Sequence, residues 1–69
     1  MSKADAMFEK LGTYKTENES FISYRGKINS SVGYLFNKKE QTITLEKFNT
    51  LAVYDLQAIN QKCKELNWI

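Results

Sequence analysis

A chain of 69 residues with 42% apolar side chains and a formal charge of +2 is expected to form one small domain with a shallow core, being too apolar for a disordered tail. Opposite charges alternate along it, so no concentrated positive field for nucleic acid or anionic lipid is expected from net charge alone. The single cysteine excludes an intrachain disulfide, and the absence of histidine removes the commonest neutral-pH general base and the commonest zinc ligand.

Residues 2–11 are expected to form a helix. Ala4, Met7, Phe8 and Leu11 recur at offsets of three and four and share one face. Ser2 can cap the first turn, Asp5 stands three places on, and Gly12 can take the left-handed conformation that ends a helix. Thr13 to Ser20 is polar, with Tyr14 either covering one end of the core or opening a short strand. Residues 21–28 alternate as a strand, with Ile22, Tyr24 and Ile28 on one face and Phe21, Ser23 and Arg25 on the other.

Asn29-Ser30 and Lys38 to Gln41 are turn segments that bracket a second strand, in which Val32, Tyr34 and Phe36 share a face. Residues 42–48 form a third strand, with Ile43 and Leu45 inward. Residues 50–54 fit either a fourth strand or a first helical turn, and Val53 and Tyr54 favour the strand. Asp55 then caps a last helix whose apolar stripe is Leu56, Ile59, Cys63 and Leu66, with Asn67 as its C-cap. The expected fold is α+β: an N-terminal helix, a three- or four-stranded antiparallel meander and a C-terminal helix. Both helices pack on one face of the sheet.

The chemistry is sparse. Cys63 lies in the apolar stripe and is expected to be an inert core thiol. Asp5 and Glu9 share a helix face, and without further converging ligands they read as surface residues. Gly12, Gly26 and Gly33 are too scattered for a phosphate loop. Neither a cofactor nor a metal is expected, and neither is catalysis.

Two sets of residues are candidates for binding. Tyr14, Tyr54, Trp68 and Ile69 would offer apolar and aromatic surface to a protein partner, and such residues dominate binding hot spots. Tyr24, Arg25, Lys27, Lys38 and Lys39 would serve nucleic acid, with a ring for stacking and cations for phosphates. The same alternation points Tyr34 and Phe36 towards the helices. A homodimer would be a natural supplement to so small a core. No apolar run approaches a signal peptide or a membrane span, so no membrane attachment is expected and the cytoplasm is the expected compartment.

The two ends of the chain carry a resemblance. Ala4-Asp5-Ala6-Met7-Phe8-Glu9-Lys10-Leu11-Gly12 and Leu56-Gln57-Ala58-Ile59-Asn60-Gln61-Lys62-Cys63-Lys64-Glu65-Leu66-Asn67-Trp68 resemble the opening and closing segments of small proteins encoded by phages and prophages of Gram-positive bacteria. There the closing segment commonly ends in Leu-Gly-Trp, and here Asn67 stands in place of the glycine. The resemblance implies an accessory product acting inside the bacterial host cell by binding a host or phage protein. It carries over no catalytic residue.

Overall fold

The computed structural model describes residues 1–69. The elements run α1 (Lys3–Lys10), β1 (Thr13–Glu17), β2 (Phe21–Gly26), β3 (Gly33–Asn37), β4 (Thr42–Glu46) and α2 (Val53–Glu65). The sheet is an antiparallel meander in the order β1-β2-β3-β4, leaving β1 and β4 as edges. The α+β architecture expected from the sequence is therefore present, with the helices on one face.

The strand pattern holds with one exchange and one shortening, since the strand expected over 42–48 stops at Glu46, where Lys47 takes φ 64. Residues 13–17 pair with β2 and supply the additional strand. Residues 50–54 are not a strand, because Val53 and Tyr54 already belong to α2. Strand propensity lost there to the helix start. Ala52 is the N-cap position, and Asp55 sits three places on, accepting the Ala52 backbone N–H at 2.9 Å. Asp55 thus satisfies an orphan donor from inside the helix.

The first helix ends at Gly12 as its sequence suggests, whereas the C-cap of α2 is Leu66, with Asn67 one place beyond it. Gly12 takes φ +83 after α1, and the Thr13 hydroxyl donates to the Phe8 carbonyl at 2.7 Å. Asn67 takes φ 61 after α2, a conformation that Asn tolerates better than most residues. The Trp68 N–H then donates to the Cys63 carbonyl at 2.9 Å, and the Asn67 N–H to the Lys64 carbonyl at 3.1 Å. This double closure swings the chain back and lays Trp68 near Phe36, with ring centroids 6.1 Å apart.

The register sorts the sheet into two faces. Tyr24, Tyr34 and Leu45 form one inward row, and Ile22, Phe36 and Ile43 the next. Phe8 descends from α1 onto this surface and stacks on Tyr24, with centroids 3.9 Å apart and planes 14° from parallel. Its ring also meets Tyr34 and Phe36 edge-on at 4.9 and 6.0 Å. Ala58, Ile59 and Cys63 close the core from α2.

Two expected core positions are not there. Ile28 lies beyond the end of β2 and is fully exposed. Leu56 is 57% exposed, because Ala58, Ile59, Lys62 and Cys63 form the buried side of α2 and Leu56 falls to its flank.

Candidate interaction face and the buried polar clasp

Beneath the helices, each tyrosine of the inward row is held by a helix. The Tyr24 hydroxyl donates to Asp5 Oδ1 at 2.6 Å, and the Tyr34 hydroxyl donates to Asp55 Oδ1. Both aspartates occupy the third position of their helix, where the carboxylate also meets the positive end of the helix dipole. Lys15 Nζ donates to Asp5 Oδ2 at 2.9 Å, and Lys62 Nζ to Asp5 Oδ1 at 3.3 Å. Glu65 accepts from the Ala4 N–H and from Gln61.

Asp5 is therefore no surface residue, contrary to the reading of its helix face, whereas Glu9 is exposed. Lys62, only 6% exposed, was also missed. The available signal was its place beside Ala58 and Ile59 on α2, but lysine there reads as polar decoration.

The clasp has a definite protonation state. Partial burial pushes the Asp5 carboxyl up, but the hydrogen bonds from Tyr24 and Lys15 and the Lys62 charge outweigh it and hold it at about 2. Burial, then the bond to Asp5, pushes the Tyr24 hydroxyl well above its usual range, and burial with Asp55 does the same for Tyr34. At neutral pH the carboxylate of Asp5 is charged and both phenols keep their protons, so the groups brace elements together.

The opposite face of the sheet carries no helix. Its rows are Tyr14–Arg25–Gly33–Glu46, then Thr16–Ser23–Leu35–Thr44, with Phe21 and Asn37 beyond. Gly33 has no side chain, and Arg25 crosses β3 there. Its Nη2 lies 2.6 Å from Glu46 Oε1, and its Nε donates to Ser23 Oγ at 3.0 Å. A shallow hollow of about 300 Å³ opens on this face between Phe21, Ser23, Arg25, Leu35 and the β1 residues Thr16 and Glu17.

The protein-binding candidates are not brought together. Tyr14 lies on the uncovered face and is 43% exposed. Trp68 is half-buried against Phe36, Ile69 is exposed beyond it, and Tyr54 lies in the first turn of α2, at the other end of the helix. Phe21 and Leu35 share that face and line its hollow. Strand alternation places Phe21 away from the helices, and Leu35, between inward Tyr34 and Phe36, falls on the same outer side.

The nucleic-acid candidates are also dispersed. Tyr24 is 1% exposed with its ring stacked on Phe8, so it presents no face to a base. Arg25 is paired to Glu46. Lys38 bonds Glu17 at 2.7 Å and the Asn18 carbonyl at 2.8 Å. That bond to Lys38, against the opposing effect of burial, holds the Glu17 carboxyl below its usual range. Lys39 and Lys27 are exposed at opposite ends of the β2–β3 hairpin.

No three Asp, Glu, Cys or His side chains converge as metal ligands, and no helix is long and apolar enough to cross a membrane. Comparison with protein-family models, with curated proteins and with solved structures finds no match to this chain.

Proposed function

We propose that the protein acts by binding another protein through the uncovered face of its sheet, without catalysis. The observation that carries this reading is the apolar surface of Phe21 and Leu35, which line the shallow hollow with Arg25, and Tyr14 on the same face in the row of the Arg25–Glu46 pair. Aromatic residues and arginine are the types that anchor protein interfaces. A rigid sheet held from behind by the Asp5 and Asp55 clasps presents them without a large ordering cost. The resemblance of the two chain ends supplies the setting: an accessory protein of a phage or prophage, working in the cytoplasm of its bacterial host on a host or phage protein.

The test is capture from bacterial lysates, with and without phage infection, using the intact chain and the variants Tyr14→Ala and Leu35→Lys. The expected result is a discrete partner held by the parent chain and lost from both variants, whose far-UV spectra stay unchanged. Capture of nothing in either lysate, or equal capture by the variants, overturns the reading. Direct binding of single-stranded or duplex oligonucleotides that weakens steeply with salt would put nucleic acid in its place.

A further inference from the structure

The two edges of the sheet differ in what they offer. An edge strand presents a row of unpaired N–H and C=O groups, and proteins guard such rows with inward-pointing charges, proline or bulges. Edge β1 is guarded: Lys15 and Glu17 occupy its inward positions, and Lys15 Nζ lies 2.9 Å from Asp5 and 3.5 Å from Glu17. Edge β4 is not. It reads Thr42-Ile43-Thr44-Leu45-Glu46, pairs with β3 in unbroken register, and has half-buried Ile43 and Leu45 inward and exposed Thr42 and Thr44 outward.

The helix nearer this edge, α2, which bonds to Tyr34 of β3 while α1 packs by β1, is also unfinished. At 100° per residue, Val53 lies half a turn around α2 from Lys62, and Leu56 a third of a turn. Lys62 points to Asp5 on α1, so Val53 and Leu56 face away from α1, towards the β4 side of the sheet. They are 71% and 57% exposed.

We propose that β4 is the interface of a symmetric homodimer, in which β4 of two copies pair antiparallel about a two-fold axis through Thr44. The occupant is a second copy because the strand is complementary to itself. In this register Ile43 stands opposite the partner's Leu45, Thr42 opposite the partner's Glu46, and Thr44 opposite its own copy. Apolar then meets apolar on the covered side, and threonine meets threonine on the open side, a favourable cross-strand pair.

The same operation on β1, centred on Lys15, sets ammonium opposite ammonium. Only β4 is thus suited to isologous pairing. The product is a continuous eight-stranded sheet with all four helices on one side. Val53 and Leu56 of the two α2 helices face each other across the axis, and the uncovered faces of both copies lie together on the other side.

The test is sedimentation equilibrium of the full chain at high micromolar concentration, with Thr44→Lys, Leu56→Glu and the control Thr16→Lys on β1. The expected result is twice the 8.0 kDa monomer mass for the parent chain and for Thr16→Lys. Thr44→Lys, which sets two lysines face to face on the axis, and Leu56→Glu fall to the monomer mass. Trp68 fluorescence and far-UV spectra confirm that both variants stay folded. A parent chain that sediments as a monomer overturns the proposal. So does a dimer that survives both β4-side substitutions. An open series of higher species would show β1-to-β4 pairing and overturn it too. Loss of lysate partners by Tyr14→Ala with the doubled mass retained separates this interface from the partner-binding face.

Discussion

Tyr24 and Tyr34 stand directly opposite each other on β2 and β3, yet their hydroxyls bond to different helices, Asp5 on α1 and Asp55 on α2. One cross-strand pair thereby pins both helices to the sheet. Replacing either tyrosine with Phe keeps the ring packing and removes one hydrogen bond to a charged group, at a cost of about 1.5–3 kcal/mol. Asp5→Ala is expected to cost more than Asp55→Ala, because it also strips the partner from nearly buried Lys62. Urea unfolding followed by Trp68 fluorescence measures all four. Equal losses for the two aspartates would mean that Lys62 does not depend on Asp5.

The same clasp sets the response to acid. The Asp5 carboxyl is held at about 2 against an ordinary 3.8. A depressed folded-state value means that the stabilisation is fully present above the unfolded value and is lost as pH falls through the folded one. For Asp5 the window runs from about pH 4 down to pH 2, and the amount at stake is about 2 kcal/mol. Glu65 and Glu17 are depressed as well and add to the loss in the same direction. Asp5→Asn should flatten the fall in stability between pH 4 and pH 2 in urea titrations. An unchanged slope would show that Asp5 is not the titrating group.

The period-two alternation of β2, β3 and β4 and the apolar recurrence in α1 sufficed to place the two layers and to turn Tyr34 and Phe36 inward. Those patterns record burial, which the side chains themselves encode. The clasp was not legible, because a hydrogen bond between residues 19 or 57 positions apart leaves no local periodicity: Asp5 and Lys62 read as polar decoration on their own helices. Leu56 failed differently. Its offset from Ile59 is helical, but Ala58 and Lys62 lie towards α1, and the sequence does not reveal which neighbour a helix leans on. The uncovered face was half legible, since alternation separated Phe21 and Arg25 from the core but not the route of Arg25 to Glu46.

Cys63 should be silent in the native state. It is 7% exposed on the inner side of α2, and burial pushes its thiol above the usual range. Both effects lower the thiolate available to a reagent. An aromatic disulfide reagent at pH 8 is expected to react at a rate limited by opening of α2, and promptly in strong urea. Reaction at the free-thiol rate in native buffer would place Cys63 on the surface.

Gly33 should resist substitution although its backbone is ordinary. A Cβ built there falls 2.6 Å from the Tyr24 carbonyl oxygen and 3.0 Å from Arg25 Cδ, whereas one at Gly12 meets nothing within 4 Å. Gly33→Ala must push β2 aside and displace the Arg25 side chain from its path to Glu46. Overpacking of this kind costs about 1–3 kcal/mol, and the upper part of that range is expected where backbone must move. Gly12→Ala carries only the strain of an alanine at φ +83, about 1–2 kcal/mol. The contribution of Arg25 is separable. In an Arg25→Ala background the crowding at Cδ is gone and that at the Tyr24 carbonyl remains, so the Gly33→Ala loss should shrink without vanishing. Urea unfolding of the two single variants and the double variant measures it. Strict additivity would show that the arginine does not lie across Gly33.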